Sequence, residues 1–266
     1  MAVFTELSDE DRVSITTAYG MMSLSSVIGI ADGDTETTYL FRTKEEEYIV
    51  TLFENGAEPL DLERAFVTME TLHRNGVPCP RPIRTVDGSA TFHVAERLVA
   101  VVTFVPGSST SNATDAKCVS LGRVMAQIHT VLERKVKRVA TELPTGAVHG
   151  ALVHDNVFYI DDRVSGVINF RLRHDDVLVS EVADALVSWT GLATGKLDKS
   201  RAGALLRGYQ EVRQLSEAEM QALPAFVMAS VSRRFAGKNG KTGVPEIALA
   251  AYETARNILN DSYPTS

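Results

Sequence analysis

The amino-acid sequence changes character at Pro106-Gly107, and this change limits the folds that the chain can adopt. Before it, short apolar runs with alternating polar positions are separated by turn residues, a pattern typical of β-strands. After it, most segments carry apolar side chains at helical spacing. We therefore predict an α+β fold with a small strand-rich N-terminal lobe, residues 1–105, and a larger helical C-terminal lobe, residues 106–266. Ligands are expected in the cleft between the lobes.

The first half also contains a predicted helix and a predicted hairpin. Four apolar residues follow the first strands at helical spacing: Leu62, Phe66, Met69 and Leu72. They predict a helix, and Gly76 is suited to end it. Residues 86–105 predict a hairpin that turns at Asp87-Gly88 and whose second strand contains the apolar run of residues 98–105.

Two helix starts are predicted in the second half. Thr114 precedes an apolar stripe at helical spacing and can cap that helix. Ser216 and Glu219 are three residues apart ahead of another apolar stripe, which is the spacing of a capping box. Four segments after residue 170 carry apolar stripes, so the rest of the chain is predicted to be mostly helical.

Composition and charge exclude several classes of partner. The net charge of −7 and the pI near 5.4 argue against nucleic acid or an anionic membrane, because both require a basic surface. The N-terminal residues 1–12 are acidic and resemble no secretory signal. The longest apolar run is far shorter than the ~20 residues that span a bilayer. Cys79 and Cys118 are too few for a disulfide framework or a tetrahedral metal site, and a reducing cytoplasm is predicted.

The strongest motif lies in residues 148–170, "VHGALVHDNVFYIDDRVSGVINF". His149 and Gly150 follow apolar and small residues and open a polar loop that closes at Asn156. Two predicted strands joined by a turn then return the chain to this loop at Asn169. We therefore predict that Asn156 and Asn169 face one pocket.

Phosphoryl transfer to an alcohol needs particular groups at such a place. One carboxylate orients and deprotonates the acceptor hydroxyl, while an Asn and a second carboxylate hold the Mg²⁺ that bridges the phosphates. The pattern H-x-D-x-x-x-x-N, followed by a hydrophobic-D-F ending, supplies these groups. Asn156 fits the pattern, whereas Ala151 occupies the first Asp position and Asn169 the second.

Residues 148–189 resemble type II homoserine kinases, which belong to the aminoglycoside-phosphotransferase and choline-kinase-like superfamily. The likeness continues in the same order through "GIADGDTETTYLF", "YIVTLFE", "NGVPCPRPIRTVDG", "VTFVPG" and "LLRGYQEVRQLSEAEMQALP", and so covers nearly the whole chain. It implies a bilobal protein-kinase-like fold with a nucleotide-clamping N-terminal lobe. It further implies that Thr103, Phe104 and Val105 form the hinge that binds an adenine.

The same resemblance implies ATP and Mg²⁺ as cofactors. Asn156 and Asn169 would occupy the metal positions. Gly29 and Gly33 would let backbone N–H groups approach the phosphates, although a plain hairpin turn would contain the same glycines. The acidic residues around Gly33 would repel phosphate, so a shift away from nucleotide binding is a second interpretation of this turn.

The departures from the family pattern affect both catalysis and metal binding. Ala151 has no proton acceptor, and Asn169 lacks the charge that Mg²⁺ prefers, so Mg-ATP binding is expected to be weak or absent. Within the degenerate catalytic loop, His149, Asp155 and Asn156 are the candidate catalytic residues. His149 is expected to support the loop backbone, whereas Asp155 and His154 are candidates to replace the lost base.

Two functional hypotheses remain open at this stage. The first is a cytoplasmic homoserine-kinase-like pseudokinase that binds a small amino-acid-like ligand, a nucleotide or a protein partner without efficient phosphoryl transfer. The alternative is an active small-molecule phosphotransferase, or another group-transfer enzyme, with altered chemistry in a specialised biosynthetic pathway. Whether the chain is an enzyme therefore depends on what replaces the two missing carboxylates.

Overall fold

A computed structural model describes residues 5–32, 35–54, 57–136, 141–236 and 244–262. The chain divides into two compact units, residues 1–105 and 106–266. Strands dominate the first unit and helices the second, as the sequence predicts.

The first unit is built on an antiparallel sheet. Its elements, in chain order, are α1 (Asp9–Ala18), β1 (Ser26–Asp32), β2 (Glu36–Arg42), β3 (Glu47–Phe53), α2 (Pro59–Arg74), β4 (Pro82–Ile83), β5 (Thr91–Val94) and β6 (Arg97–Thr103). The strand order is β1-β2-β3-β6-β4, and β5 also pairs with β6. The core on this sheet includes Phe41, Val50 and Leu52, which are fully buried. Burial of such side chains is the main force that holds the unit together.

Helix α2 ends as its sequence predicts. Gly76 has a φ of +75°. The N–H of Gly76 donates to His73 O and that of Val77 donates to Leu72 O, each at 3.0 Å. This pair of bonds is a Schellman motif, in which a left-handed glycine satisfies the last helical carbonyls.

The predicted hairpin turn at Asp87-Gly88 is wrong. Strands β5 and β6 instead turn at Ala95 and Glu96, whose φ angles are +49° and +59°. The Asp87-Gly88 segment forms a separate turn before β5, because the Gly88 N–H donates to Thr85 O at 2.9 Å. Strand pairing has therefore imposed left-handed backbone on two residues that do not favour it.

The second unit is mainly helical. Its elements are α3 (Asp115–Leu132), β7 (Thr145–Val148), β8 (Val157–Ile160), β9 (Arg163–Val167), β10 (His174–Val177), α4 (Leu178–Thr190), α5 (Lys199–Gln210), α6 (Glu217–Ala236) and α7 (Val244–Ser262). Strand β7 pairs with β10, and β8 pairs with β9, both antiparallel. No helix in the described ranges is long and apolar enough to cross a membrane.

The predicted helix caps of the second unit are confirmed. Thr114 accepts a hydrogen bond from Lys117 N at the start of α3. Ser216 and Glu219 form the capping box of α6, with Ser216 N donating to Glu219 Oε2 at 2.9 Å and Glu219 N donating to Ser216 Oγ at 3.2 Å. These caps satisfy N–H groups that a helix start leaves unpaired.

Helices α3 and α5 pack closely because each has a glycine at the contact. A Cβ added at Gly122 would collide with Leu205 O and Tyr209 N, and one added at Gly208 would collide with Val119 O. The two backbones therefore meet without an intervening side chain. This contact brings His129 of α3 beside Tyr209 of α5.

Candidate functional site

The candidate site is built on the loop of residues 149–156, which joins β7 to β8. His149 is 1% exposed. Its Nε2–H donates to Ile168 O at 2.8 Å, and its Nδ1 accepts from Ala151 N at 3.2 Å. These two bonds require a neutral ring with the proton on Nε2. Burial lowers the pKa of His149, in agreement with this neutral form.

The neutral, buried state of His149 predicts acid sensitivity. The unfolded chain gains a proton on this ring as the pH falls through 6.5, its ordinary pKa, whereas the folded chain, in which the pKa is lowered, gains it only at lower pH. The free energy of unfolding should therefore fall with decreasing pH by up to ~1.4 kcal/mol per pH unit in this range. Urea unfolding between pH 7.5 and 5.5 measures this slope. His149→Gln can keep the bond to Ile168 O but cannot titrate, so an equal slope in that variant would contradict the assignment.

Glu181, on the first turn of α4, holds the start of the loop. Its side chain is 3% exposed. Oε1 accepts from Gly150 N at 2.6 Å, and Oε2 accepts from His149 N at 3.1 Å. Burial alone would raise the pKa of Glu181, but the hydrogen bond from His129 and the amide bond from Gly150 help to lower it below its usual value. The carboxylate is therefore ionised and fixes two consecutive loop amides.

Asn156 closes the loop and is 9% exposed. Its Nδ2 donates to Ala151 O at 3.0 Å, and its backbone oxygen accepts from Ile168 N at 3.0 Å. The amide oxygen Oδ1 accepts no hydrogen bond from the residues that the structure describes. Oδ1 of Asn156 is therefore available to accept a hydrogen bond from a ligand.

Asn169 follows β9 and has left-handed backbone, with a φ of 69° and a ψ of 47°. The preceding residue, Ile168, bonds to both His149 and Asn156, so the structure brings Asn169 next to the loop. The Phe170 ring packs edge-on against the His149 ring at 4.7 Å between centroids. Asn169 itself is exposed.

The geometry argues against His154 as a general base. Its Nδ1 faces Thr110 O at 2.6 Å and its Nε2 faces Ser188 O at 3.2 Å. Both partners are acceptors, so the ring offers no lone pair to a substrate. The ring also packs on Trp189, whose Nε1 donates to Leu152 O at 2.6 Å. His154 and Trp189 thus support the loop, whereas the side chain of Asp155 is exposed.

The nucleotide-binding positions proposed from the resemblance lie in the first unit. Gly29 lies in β1 at a register irregularity that is typical of a β-bulge, and Gly33 lies outside the described residues. The Thr103 N–H donates to Arg81 O and the Phe104 N–H donates to Glu47 O, each at 2.9 Å. Both amides are therefore already used within the unit. Val105 follows them and is buried.

A cavity of about 180 Å³ lies within the second unit, against the loop. At ~30 Å³ per water molecule, it has room for roughly six waters. Ala151 lines it together with Ser180 and Asp184 of α4 and with His174 and Asp176 of β10. Asp176 Oδ2 accepts from Ser180 Oγ at 2.9 Å, and Asp184 pairs with Arg233 at 2.8 Å. With Glu181, which also lines the cavity, three carboxylates therefore border a space the size of a small metabolite.

The residues at the two positions that the resemblance assigns to a metal do not fit Mg²⁺ well. Asn156 and Asn169 offer only neutral oxygens, whereas Mg²⁺ is usually bound through one or two carboxylates. In the described part of the chain, no group of three His, Cys, Asp or Glu side chains is arranged to hold a metal ion.

Comparisons with known proteins agree with this architecture. The phosphotransferase enzyme family model matches residues 26–137. Homoserine kinases from Granulibacter bethesdensis and Azorhizobium caulinodans are each 32% identical to the chain over 275 residues, covering 88% of this chain and 86% of those proteins. The chain belongs to the homoserine kinase family. The predicted family is thereby confirmed at the level of sequence.

Solved structures of other kinases share the fold. An amicoumacin kinase in complex with AMP-PNP and Ca²⁺ superimposes with a TM-score of 0.64 at 14% identity, over 97% of this chain and 95% of that one. A microcompartment-associated aminopropanol kinase gives a TM-score of 0.64 at 17% identity, over 93% and 95%. These similarities confirm the α+β, aminoglycoside-phosphotransferase-like fold.

Sequence reasoning missed Glu181, His129 and Asp176. Glu181 had a visible signal, because it is a charged residue within the apolar stretch "VLVSEVADALVSW". A carboxylate on the buried face of a helix needs hydrogen-bond donors or an opposite charge beside it, because an unpaired buried charge is costly. Asp176 had no such signal, since it lies in the polar run "RLRHDD".

Proposed function

We propose that this member of the homoserine kinase family binds a small amino-acid-like ligand beside the loop of residues 149–156 and does not transfer phosphate efficiently. Homology to homoserine kinases supports small-molecule phosphotransfer as the ancestral activity class. The observation that carries the proposal is Ala151. His149, Glu181 and Asn156 hold the loop in place, yet position 151 presents only a methyl group.

The loss at position 151 is large on the scale of catalysis. A positioned general base contributes ~10²–10⁴-fold in rate. His154 does not replace it, because carbonyl oxygens face both of its nitrogens. The neutral Asn169 further weakens the binding of the metal that would bridge the phosphates.

The cavity supports a ligand that carries an amino group. Asp176 and Asp184 line it, and carboxylates form strong charge-assisted hydrogen bonds with ammonium groups. A relative named homoserine kinase and a structural neighbour named aminopropanol kinase are named for molecules that carry both an amino group and a hydroxyl. A molecule of that size fits a volume of about 180 Å³.

A second candidate function is an active phosphotransferase that has moved its base. Asp176 lines the same cavity as Ala151 and carries a carboxylate. That carboxylate can accept a proton from a hydroxyl held in the cavity. Asp176→Asn separates the two functions. It should abolish turnover if Asp176 is the base of an active enzyme, and a pseudokinase should show no turnover either before or after the change.

Restoring the metal carboxylate tests the proposed function. In the double variant Ala151→Asp/Asn169→Asp we expect Mg-ATP affinity to rise at least ~10-fold, about 1.4 kcal/mol, because a charged metal ligand returns. We expect little homoserine phosphorylation, since positioning carries most of this reaction. By the resemblance to homoserine kinases, residues 133–147 are also shorter than the family's segment that contributes to the acceptor pocket, and we propose that this pocket is remodelled. Calorimetry with and without Mg²⁺ measures the affinity.

The matched control is Ala151→Asn in the Asn169 background, which adds the same volume without charge. Its Mg-ATP affinity should equal that of the parent chain. Vigorous homoserine phosphorylation by the double variant would show an intact acceptor pocket and would contradict remodelling. Micromolar, Mg²⁺-dependent ATP binding by the parent chain would overturn the proposal and favour the active enzyme.

A further inference from the structure

A buried chain of hydrogen bonds runs from Glu181 away from the loop. His129 Nε2 lies 2.9 Å from Glu181 Oε2, and His129 Nδ1 lies 2.8 Å from Tyr209 Oη. Arg213 Nη1 lies 3.1 Å from the same Tyr209 Oη and 3.0 Å from Glu219 Oε1. His129, Tyr209 and Arg213 lie between Glu181 and Glu219 in this chain. The proposed function assigns no role to these three residues.

The proton positions in this chain follow from one end. An arginine guanidinium only donates, so Tyr209 Oη accepts from Arg213. The Tyr209 proton then points to His129 Nδ1, which must be unprotonated to accept it. The remaining proton of His129 is on Nε2 and is donated to Glu181. Glu181, a carboxylate that only accepts, requires the same proton on Nε2, so Arg213 and Glu181 at the two ends agree on one tautomer of His129.

The chain is fully shielded from solvent at its centre. His129 and Tyr209 are 0% exposed, and the side chains of Arg213 and Glu219 are 9% and 1% exposed. Hydrogen bonds are strengthened in such an environment, and an unmet donor or acceptor is costly. Burial raises the pKa of Tyr209, so its hydroxyl stays protonated and remains a donor. Alternative proton arrangements therefore leave a buried group unsatisfied.

We propose that His129, Tyr209 and Arg213 are positioning residues that set the geometry of the loop through Glu181. With Nε2–H donated to Oε2, the carboxylate is oriented so that Oε1 receives the Gly150 amide and Oε2 also receives the His149 amide. Arg213 itself is fixed by Glu219, the residue that caps α6. The cap of one helix is thus linked to the loop that presents residue 151.

Amide exchange and histidine NMR on the full-length protein test this assignment. In the parent chain, long-range ¹H–¹⁵N spectra should show His129 protonated on Nε2 and not on Nδ1. In Tyr209→Phe, exchange of the His149 and Gly150 amides should accelerate at least ~10-fold more than exchange of the α3 and α5 core amides. The matched control is Tyr19→Phe, a buried tyrosine of the first unit that donates to Val99 O at 2.9 Å.

In the Tyr19→Phe control the loop amides should exchange as in the parent chain. A proton on His129 Nδ1 in the parent chain would overturn the proposal, and this result needs no variant to fold. Equal acceleration of loop and core amides in Tyr209→Phe would also overturn it, because that pattern reports a purely structural tyrosine. Arg213→Met provides a second variant, and the same preferential acceleration of the loop amides is expected in it, because Tyr209 Oη loses the donor that fixes its orientation.

Discussion

With L-homoserine and Mg-ATP, the protein is expected to turn over at least ~10²-fold more slowly than the 1–100 s⁻¹ of ordinary kinases. The physical reason is the methyl group at Ala151, where the family pattern has a carboxylate that orients and deprotonates the acceptor. The loop around it is held by His149, Glu181 and Asn156, so it does not supply a substitute by rearranging. A coupled ADP-release assay measures the rate.

The same assay distinguishes the two candidate functions. Turnover of about 1–100 s⁻¹ with L-homoserine would end the pseudokinase proposal. If a slower but definite rate is found, Asp176→Asn shows whether that carboxylate has taken over the role of base. Amino alcohols of similar size extend the substrate set, because Asp176 and Asp184 line the cavity.

Removing Glu181 is expected to be among the most destabilising single changes in the second unit. Glu181→Ala leaves two loop amides and the His129 Nε2–H without an acceptor in a buried site. Breaking a buried, charged network of this kind costs roughly 3–5 kcal/mol. The total stability of such proteins is only about 5–15 kcal/mol. Urea unfolding followed by circular dichroism measures the loss.

The matched control for Glu181→Ala is Glu253→Ala, an identical change at an exposed position of α7. It should alter the free energy of unfolding by less than ~0.5 kcal/mol. A loss of under ~1 kcal/mol in Glu181→Ala would show that the loop amides find other acceptors. The proposal that the hydrogen-bonded chain through His129 positions the loop would then be contradicted.

Local features of this protein were predictable from sequence because their causes are local. The caps at Thr114 and Ser216 involve partners three residues away, and the Schellman end at Gly76 needs only a residue that accepts positive φ. The family pattern identified Ala151 because H-x-D-x-x-x-x-N fixes its spacing. The spacing of apolar residues separated the strand-rich half from the helical half.

Features that depend on distant partners were not predictable. Glu181 bonds to residues 31, 32 and 52 positions away, and His129 bonds to a tyrosine 80 positions away. The hairpin turn was placed at Asp87-Gly88 by local preference, whereas the register of β5 with β6 determines the turn at Ala95 and Glu96. Pairing between strands outweighs turn propensity when the two disagree.

The contact between Gly122 and Gly208 limits how far the hydrogen-bonded residues behind the loop can move. Helices normally pack 8–10 Å apart, and side chains at the contact set that spacing. With backbone against backbone at this crossing, His129 reaches Tyr209 at 2.8 Å, and a shift of half an ångström would lengthen that bond beyond the usual range. The two glycines thus fix the spacing of α3 and α5. The position of residue 151 therefore depends on a helix crossing outside the loop as well as on the loop itself.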